Sequence, residues 1–286
     1  MIMFPLVLAM EDPIEHVGPH PITTFGPVVF TSHMLMLLIA AALMTILFVL
    51  AARNYPVIPT GLRNVLDTLL EFVRSSIARP ILGEHTDRYV PFLWTLFFFI
   101  LINNLLGFVP FNAVFSLLGG RMQAFGTATT NLSVTGGLAV MVFVIIHAAG
   151  ILEQTRLQLR GGRSVLGAIP CGVALYFYRL VPPVPGVIGV ILFPILLVLE
   201  LIGTVIRTFA LAMRLFANMM AGHLVLATVL LMIPTGRGLL SMGVAIPTVA
   251  GCVALSCIEL FVAFLQAYIF VFLSCLFIGA VIKPEH

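Results

Sequence analysis

Residues 185–233 read PGVIGVILFPILLVLELIGTVIRTFALAMRLFANMMAGHLVLATVLLMI, and this stretch decides the fold. Its 49 residues are apolar apart from Glu200, Arg207, Arg214, Asn218, His223 and a few hydroxyls. As one α-helix it would be roughly 70 Å long, more than twice the hydrocarbon thickness of a bilayer. A second stretch, 247–283, would measure roughly 55 Å at the same rise per residue. Either each is broken, at Pro194 or at glycines, or both lie steeply inclined as a hairpin with Pro234, Gly236 and Gly238 at its tip.

The rest of the chain is built from the same material. Of 286 residues, 61% are hydrophobic and only 9% charged, against roughly a quarter charged in a soluble domain. Mean hydropathy is +1.17. No stretch is polar enough to cover a globule, so 1–286 reads as a single membrane domain in contact with the lipid bilayer. A net charge of +3 is too small to suggest nucleic acid. Thirteen of the fourteen basic residues are Arg, scattered singly, which excludes a polybasic lipid-binding tail. Cys171, Cys252, Cys257 and Cys275 sit in apolar surroundings without CxxC or a nearby His, so they read as small hydrophobes. There is no metal cluster, phosphate loop or nucleophile motif, so the chain by itself is expected to be no enzyme and to take no cofactor or metal.

Along the chain, 1–32 holds Glu11, Asp12 and Glu15 with several prolines and reads as an irregular outer lead-in. Spans are expected at 33–52, 91–112 and 132–152. Between the first two, 60–79 places Leu62, Val65, Leu66, Leu69, Leu70, Val73 and Ile77 on one face of a helix. Arg63, Asp67, Glu71 and Arg74 lie opposite, at spacings that allow Arg63 to pair with Asp67 and Glu71 with Arg74. The fold class is therefore all-α integral membrane protein. It has about five membrane-crossing helices plus an amphipathic surface helix, and 185–233 and 247–283 form a long hairpin.

Basic residues set the orientation. The lead-in has none; Arg53, Arg63, Arg74, Arg79 and Arg88 follow the first span; only Arg121 lies in the next loop; Arg156, Arg160 and Arg163 lie in the one after. Arg237 falls on the hairpin turn and Lys283 at the end. The N-terminus is expected outside and the C-terminus in the cytoplasm.

The chemistry is expected where charge interrupts the apolar helices. A central Arg or Glu costs roughly 3 kcal/mol even on a lenient insertion scale, so several together require pairing or function. Glu200, Arg207 and Arg214 recur every seven residues, two helical turns, and Asn218 continues the stripe. His223, nine beyond Arg214, points to the opposite side of a regular helix. Glu259 and Gln266 make a second polar stripe with the same spacing. Glu200 and Arg207 either form an internal ion pair that fixes packing or line a conducting path. Asn218 and Gln266 either join helices by plain hydrogen bonds or serve the same path. Arg214 has no acid at three or four residues on either side, so its partner must come from elsewhere. Asn103 and Asn104 are expected to bond a neighbouring helix, and His147 reads as structural.

The segment ALAMRLFANMMAGH resembles the signature of subunit a of F-type ATP synthases, with Arg214 on that family's essential arginine. FFFILINNLLGFVP, TNLSVTGGLAV, LELIGTVIRTFALAMRLF and ELFVAFLQAYIF extend the likeness over about residues 14–283. The resemblance implies a proton-conducting stator subunit facing a ring of c subunits, with subunit b of the peripheral stalk and the remaining synthase subunits as partners. By it, Arg214 faces the ring carboxylate, Asn218 and Gln266 are its polar companions, and Arg207 supports the run leading to it. His223 and Glu259 fall on positions that hold an acid and a histidine in either order, and Glu200 matches an acid of the cytoplasmic access path. Asn131 stands where some relatives carry an acid. With no transit-peptide pattern at the start, a bacterial inner membrane is expected. A secondary transporter with a midplane ionisable site is the main rival, but it predicts an internal repeat, and none is visible.

Overall fold

The computed structural model describes residues 21–25, 28–53, 61–109, 129, 131–162, 164–181, 187–231 and 239–282. Two strands, β1 (Pro21–Phe25) and β2 (Val28–Thr31), pair antiparallel with Phe25 opposite Val28 and Thr23 opposite Phe30. Part of the expected irregular lead-in is thus a β-ribbon. Threonine, valine and phenylalanine favour the extended backbone, and only two residues separate the strands. Residues 1–20 of that lead-in lie outside the described residues.

The remainder is helical: α1 (Ser32–Arg53), α2 (Leu62–Glu71), α3 (Arg79–Leu82), α4 (Thr86–Leu106), α5 (Leu132–Arg160), α6 (Val165–Leu180), α7 (Val187–Leu231) and α8 (Leu239–Ile282). The amphipathic helix expected over 60–79 forms, opening after Gly61, whose φ is 63°, but it does not stop there. A π-helical stretch (Phe72–Ala78) and a 3₁₀ turn (Gly83–His85) join α2, α3 and α4 into one helical path. Arg74 pairs not with Glu71 but with Asp87, at 2.7 Å. The span expected at 91–112 starts earlier, at Thr86, and its last residues from 110 lie outside the described ones. α5 continues past 152 to Arg160 because the polar run after Leu152 keeps the helical path.

Two expectations about the long hairpin are settled for the described residues. α7 runs 45 residues through Pro194, and α8 runs 44 through Pro247, starting eight residues before the expected 247. Each measures about 65–68 Å. Neither proline breaks its helix, as membrane helices tolerate when neighbours re-satisfy the freed carbonyls. The proposed tip at 234–238 and Lys283 lie outside the described residues. Five helical segments are long and apolar enough to cross a membrane, and their large apolar side chains are turned outward along much of α1, α7 and the first half of α8. That surface suits lipid or partner helices rather than water.

The chain forms two compact units. In the first (1–65, 95–135 and 213–269), Phe97 and Phe98 are fully buried and meet edge to face, with centroids 5.3 Å apart. Phe98 also meets Phe48 of α1 at 4.9 Å, and Phe97 meets Phe264 of α8 at 5.9 Å. In the second (66–94, 136–212 and 270–286), α5 and α6 pack closely at two glycines, against backbone at Gly172 and against a side chain at Gly150. A β-carbon at Gly172 would stand 2.8 Å from Cα of Thr155, and one at Gly150 would strike the ring of Tyr176. α6 was not anticipated. At 16 residues, about 24 Å, it is too short to cross.

Candidate functional site

The site in the first unit is built where α7 and α8 run antiparallel. Leu215 and Met219, one turn apart, are buried on one face of α7 there. Arg214 and Asn218 stand one position before Leu215 and Met219, at the border of that face. Asn218 donates through Nδ2 to Oε1 of Gln266 at 2.9 Å, and Gln266 is 2% exposed. The two amides expected on separate stripes therefore meet. Three residues before Gln266 on α8, the Ala263 carbonyl accepts from Nδ2 of fully buried Asn104 at 3.3 Å. Asn103 instead turns back to Phe99 of its own helix at 2.7 Å, so only one of that pair bridges helices.

Arg214 is exposed, and among the described residues no acid pairs with it. One turn beyond Asn218, the helices approach so closely that the Glu259 side chain lies on the backbone of Gly222. A β-carbon there would meet Oε1 outright and stand 3.0 Å from Cδ and 3.3 Å from Cγ. The other carboxylate oxygen, Oε2, is buried without a hydrogen-bond partner. The backbone of His223 follows Gly222 in α7, but its side chain lies outside the described residues. The glycine seat had no signal in the sequence beyond its place in AGH.

In the second unit, Arg207 donates through Nη1 to Oε1 of Glu200 at 3.4 Å, the internal pair that spacing allowed. The contact is long and both side chains are partly exposed, 51% for Arg207 and 34% for Glu200, so the carboxylate keeps most of its acceptor capacity. Glu200 also lies within electrostatic reach of Tyr176 on α6. Burial first and that carboxylate second push the Tyr176 hydroxyl up to about 12. A tighter ion pair escaped the sequence reading: Arg88 and Glu153 meet at 3.1 Å with side chains only 28% and 11% exposed, joining α4 to α5. Asn131 accepts from the Ser133 amide at 2.8 Å and so caps α5, a task that a carboxylate at this position could perform equally. Among the described residues no group of His, Cys, Asp and Glu could hold a metal.

Apolar helices of membrane length, with an amide bridge, an arginine without an acid partner among the described residues and a half-buried carboxylate on the two longest, define a multi-pass membrane protein with polar groups set into its helices. The chain belongs to the ATP synthase A chain family, whose sequence pattern it matches over residues 34–279. It is 39% identical over 274 residues to an ATP synthase subunit a from Anaeromyxobacter sp. strain Fw109-5, covering 91% of this chain but only 59% of the relative. It is 33% identical over 279 residues to one from Acidiphilium cryptum, covering 95% and 97%. A Myxococcus xanthus relative of the same name is 39% identical over 264 residues, covering 90% and 74%. The chain spans less than two thirds of the length of the Anaeromyxobacter relatives that it matches.

Proposed function

We propose that this chain is the proton-conducting stator subunit of a rotary ATP synthase, and that Arg214 separates two aqueous half-channels leading to carboxylates on a ring of c subunits. The observation that carries this reading is Arg214, an exposed cation without an acid among the described residues, beside the Asn218–Gln266 bridge. A carboxylate about 4 Å away at an effective dielectric near 20 contributes about 4 kcal/mol. That is enough to offset the roughly 3 kcal/mol cost of a central arginine, so one acid presented by a moving partner suffices.

The mechanism follows from two opposed effects on the ring carboxylate. Burial against lipid raises its pKa and keeps it neutral; the fixed charge of Arg214 lowers it and lets the proton leave. Arg214 never gives up its own proton, so it repels protons and prevents a leak from one half-channel to the other. His223 and Glu259 serve the outer half-channel and Glu200 the inner one, with Asn218 and Gln266 positioning the arginine and Arg207 supporting Glu200. The unbroken α7 and α8, about twice the membrane's thickness, lie steeply inclined and supply a long surface for the ring to pass. Subunit b and the other synthase subunits complete the assembly. The chain sits in a bacterial inner membrane with its N-terminus outside and C-terminus in the cytoplasm.

The test is Arg214→Ala in the whole synthase. Assembly is expected to persist while ATP-driven proton pumping into membrane vesicles disappears. Pumping at the wild-type rate would reject the mechanism.

A further inference from the structure

In the second unit, the helical path from α2 to α4 encloses a cleft of about 620 Å³, a volume within the usual range of small-molecule sites. Its two walls are tied together. Arg74 and Asp87 meet at 2.7 Å, although 13 residues of straight helix would hold them about 20 Å apart. Trp94 of α4 donates through Nε1 to the Leu70 carbonyl at 2.8 Å. Gly83 makes the bend between the walls with φ 57° and ψ −119°, a conformation that favours glycine. Thr86, 5% exposed, donates to the Gly83 carbonyl at 2.6 Å and fixes that bend.

The π-helical stretch Phe72–Ala78 shapes one wall. In an α-helix, Arg74 and Arg79 would diverge by about 140°. Here the Arg79 amide donates to the Arg74 carbonyl, five residues back, and both residues line the cleft. Charge in the cleft is mixed and incompletely paired. Arg74 is taken by Asp87, but among the described residues the side chains of Glu71, Glu84 and Arg79 have no ion-pair partner.

Two spare carboxylates and one spare guanidinium thus share a preformed space. A simple anion would be repelled by the first and a simple cation by the second, so the fitting ligand carries both charges. The position of the cleft decides its kind. Val73, Ile77 and Leu82 are buried away from it, and α4 carries no charged residue from Tyr89 to Leu106. The cleft therefore stands at the level where the hydrocarbon begins and phospholipid headgroups lie.

We propose that this cleft binds the headgroup of phosphatidylethanolamine, its ammonium taken by Glu71 and Glu84 and its phosphodiester by Arg79. An ammonium offers three N–H donors to carboxylates, which the quaternary nitrogen of a choline lipid lacks. A guanidinium fork suits a phosphate, while phosphatidylglycerol brings no cation for the two acids.

The experiment uses the whole synthase in vesicles of phosphatidylethanolamine and phosphatidylglycerol in equal amounts. A trace of one lipid or the other carries a photoactivatable group at the glycerol end of an acyl chain, and cross-linked peptides are mapped by mass spectrometry. Phosphatidylethanolamine is expected to label residues 71–90 about tenfold more than phosphatidylglycerol. Glu71→Gln/Glu84→Gln and Arg79→Met should each cut that labelling about tenfold and leave labelling elsewhere on the chain unchanged. All three residues are exposed, so the variants are expected to fold and assemble. Equal labelling by the two lipids, or undiminished labelling in either variant, overturns the proposal. No labelling of 71–90 by either lipid means that a protein segment covers the cleft, which overturns it as well. Soluble glycerophosphoethanolamine, added at the bulk concentration of the lipid, is expected to leave the labelling intact. If it removes the labelling, the site belongs to a soluble phosphoethanolamine compound and the lipid assignment fails.

Discussion

Glu259 rests on Gly222: the carboxylate of one long helix occupies the space where any other residue of the facing helix would place its β-carbon. The contact sets how closely α7 and α8 approach one turn beyond the amide bridge. Because the obstacle is the end of a flexible side chain and not backbone, an added methyl displaces the acid before it separates the helices. Gly222→Ala is therefore expected to assemble normally and to slow proton pumping several-fold. Shortening the acid as well, in Gly222→Ala/Glu259→Asp, should recover part of the loss. Wild-type pumping by the single variant would show that the position of Glu259 is immaterial.

The outer half-channel assignment makes a separate demand on His223 and Glu259. Exchanging the two residues should preserve more pumping than replacing either one by alanine. Equal loss in all three variants counts against their acting as a pair.

The Asn218–Gln266 hydrogen bond is asymmetric, since Asn218 is exposed and Gln266 buried. Asn218→Ala leaves a buried amide oxygen without its donor and is expected to cost about 1–3 kcal/mol. Gln266→Met removes the buried polar group at similar volume and should cost less than about 1 kcal/mol. Thermal unfolding of the purified complex in detergent compares them; a larger loss for Gln266→Met contradicts this account.

Two ion pairs of the second unit should differ in the same assay. Arg88–Glu153 is largely buried, so Glu153→Ala strands a charge and is expected to cost about 3–5 kcal/mol, while the double replacement Arg88→Met/Glu153→Leu should do less harm. Arg74–Asp87, with side chains 47% and 79% exposed, should contribute less than about 1 kcal/mol despite its shorter distance. Comparable losses from Glu153→Ala and Asp87→Ala would remove burial as the deciding factor.

Asn131 offers a test of the cap on α5. Asn131→Asp should match the wild type or improve on it, because a carboxylate both accepts the Ser133 amide and suits the positive end of the helix. Asn131→Ala should lose about 1 kcal/mol. If the aspartate is the worse of the two, the residue is not acting as a cap.

What the sequence discloses here depends on whether a feature is local. The apolar period from Leu62 to Ile77 marks the amphipathic helix, and the cost of membrane charge singles out Glu200, Arg207, Arg214 and Glu259. Where the amphipathic helix ends was hidden, because a π-helical stretch carries the chain onward and Pro80 falls in the first turn of α3, where a proline is tolerated. The ribbon at Pro21–Thr31 was hidden by its prolines, which read as interruption. α6 has neither membrane length nor a clear polar face. The Gly222 seat and the Arg88–Glu153 pair each join residues far apart in sequence, 65 positions in the second case, and no local pattern records such a meeting.

The glycine notches between α5 and α6 also bear on the order in which the molecule is made. Only a short connection separates these helices, so little chain entropy opposes their closing. Their contacts at Gly150 and Gly172 need nothing synthesised after Leu180. This pair is expected to dock while α7 is still on the ribosome. Tyr176 would then be seated against α5 before the residues of α7 enter the membrane.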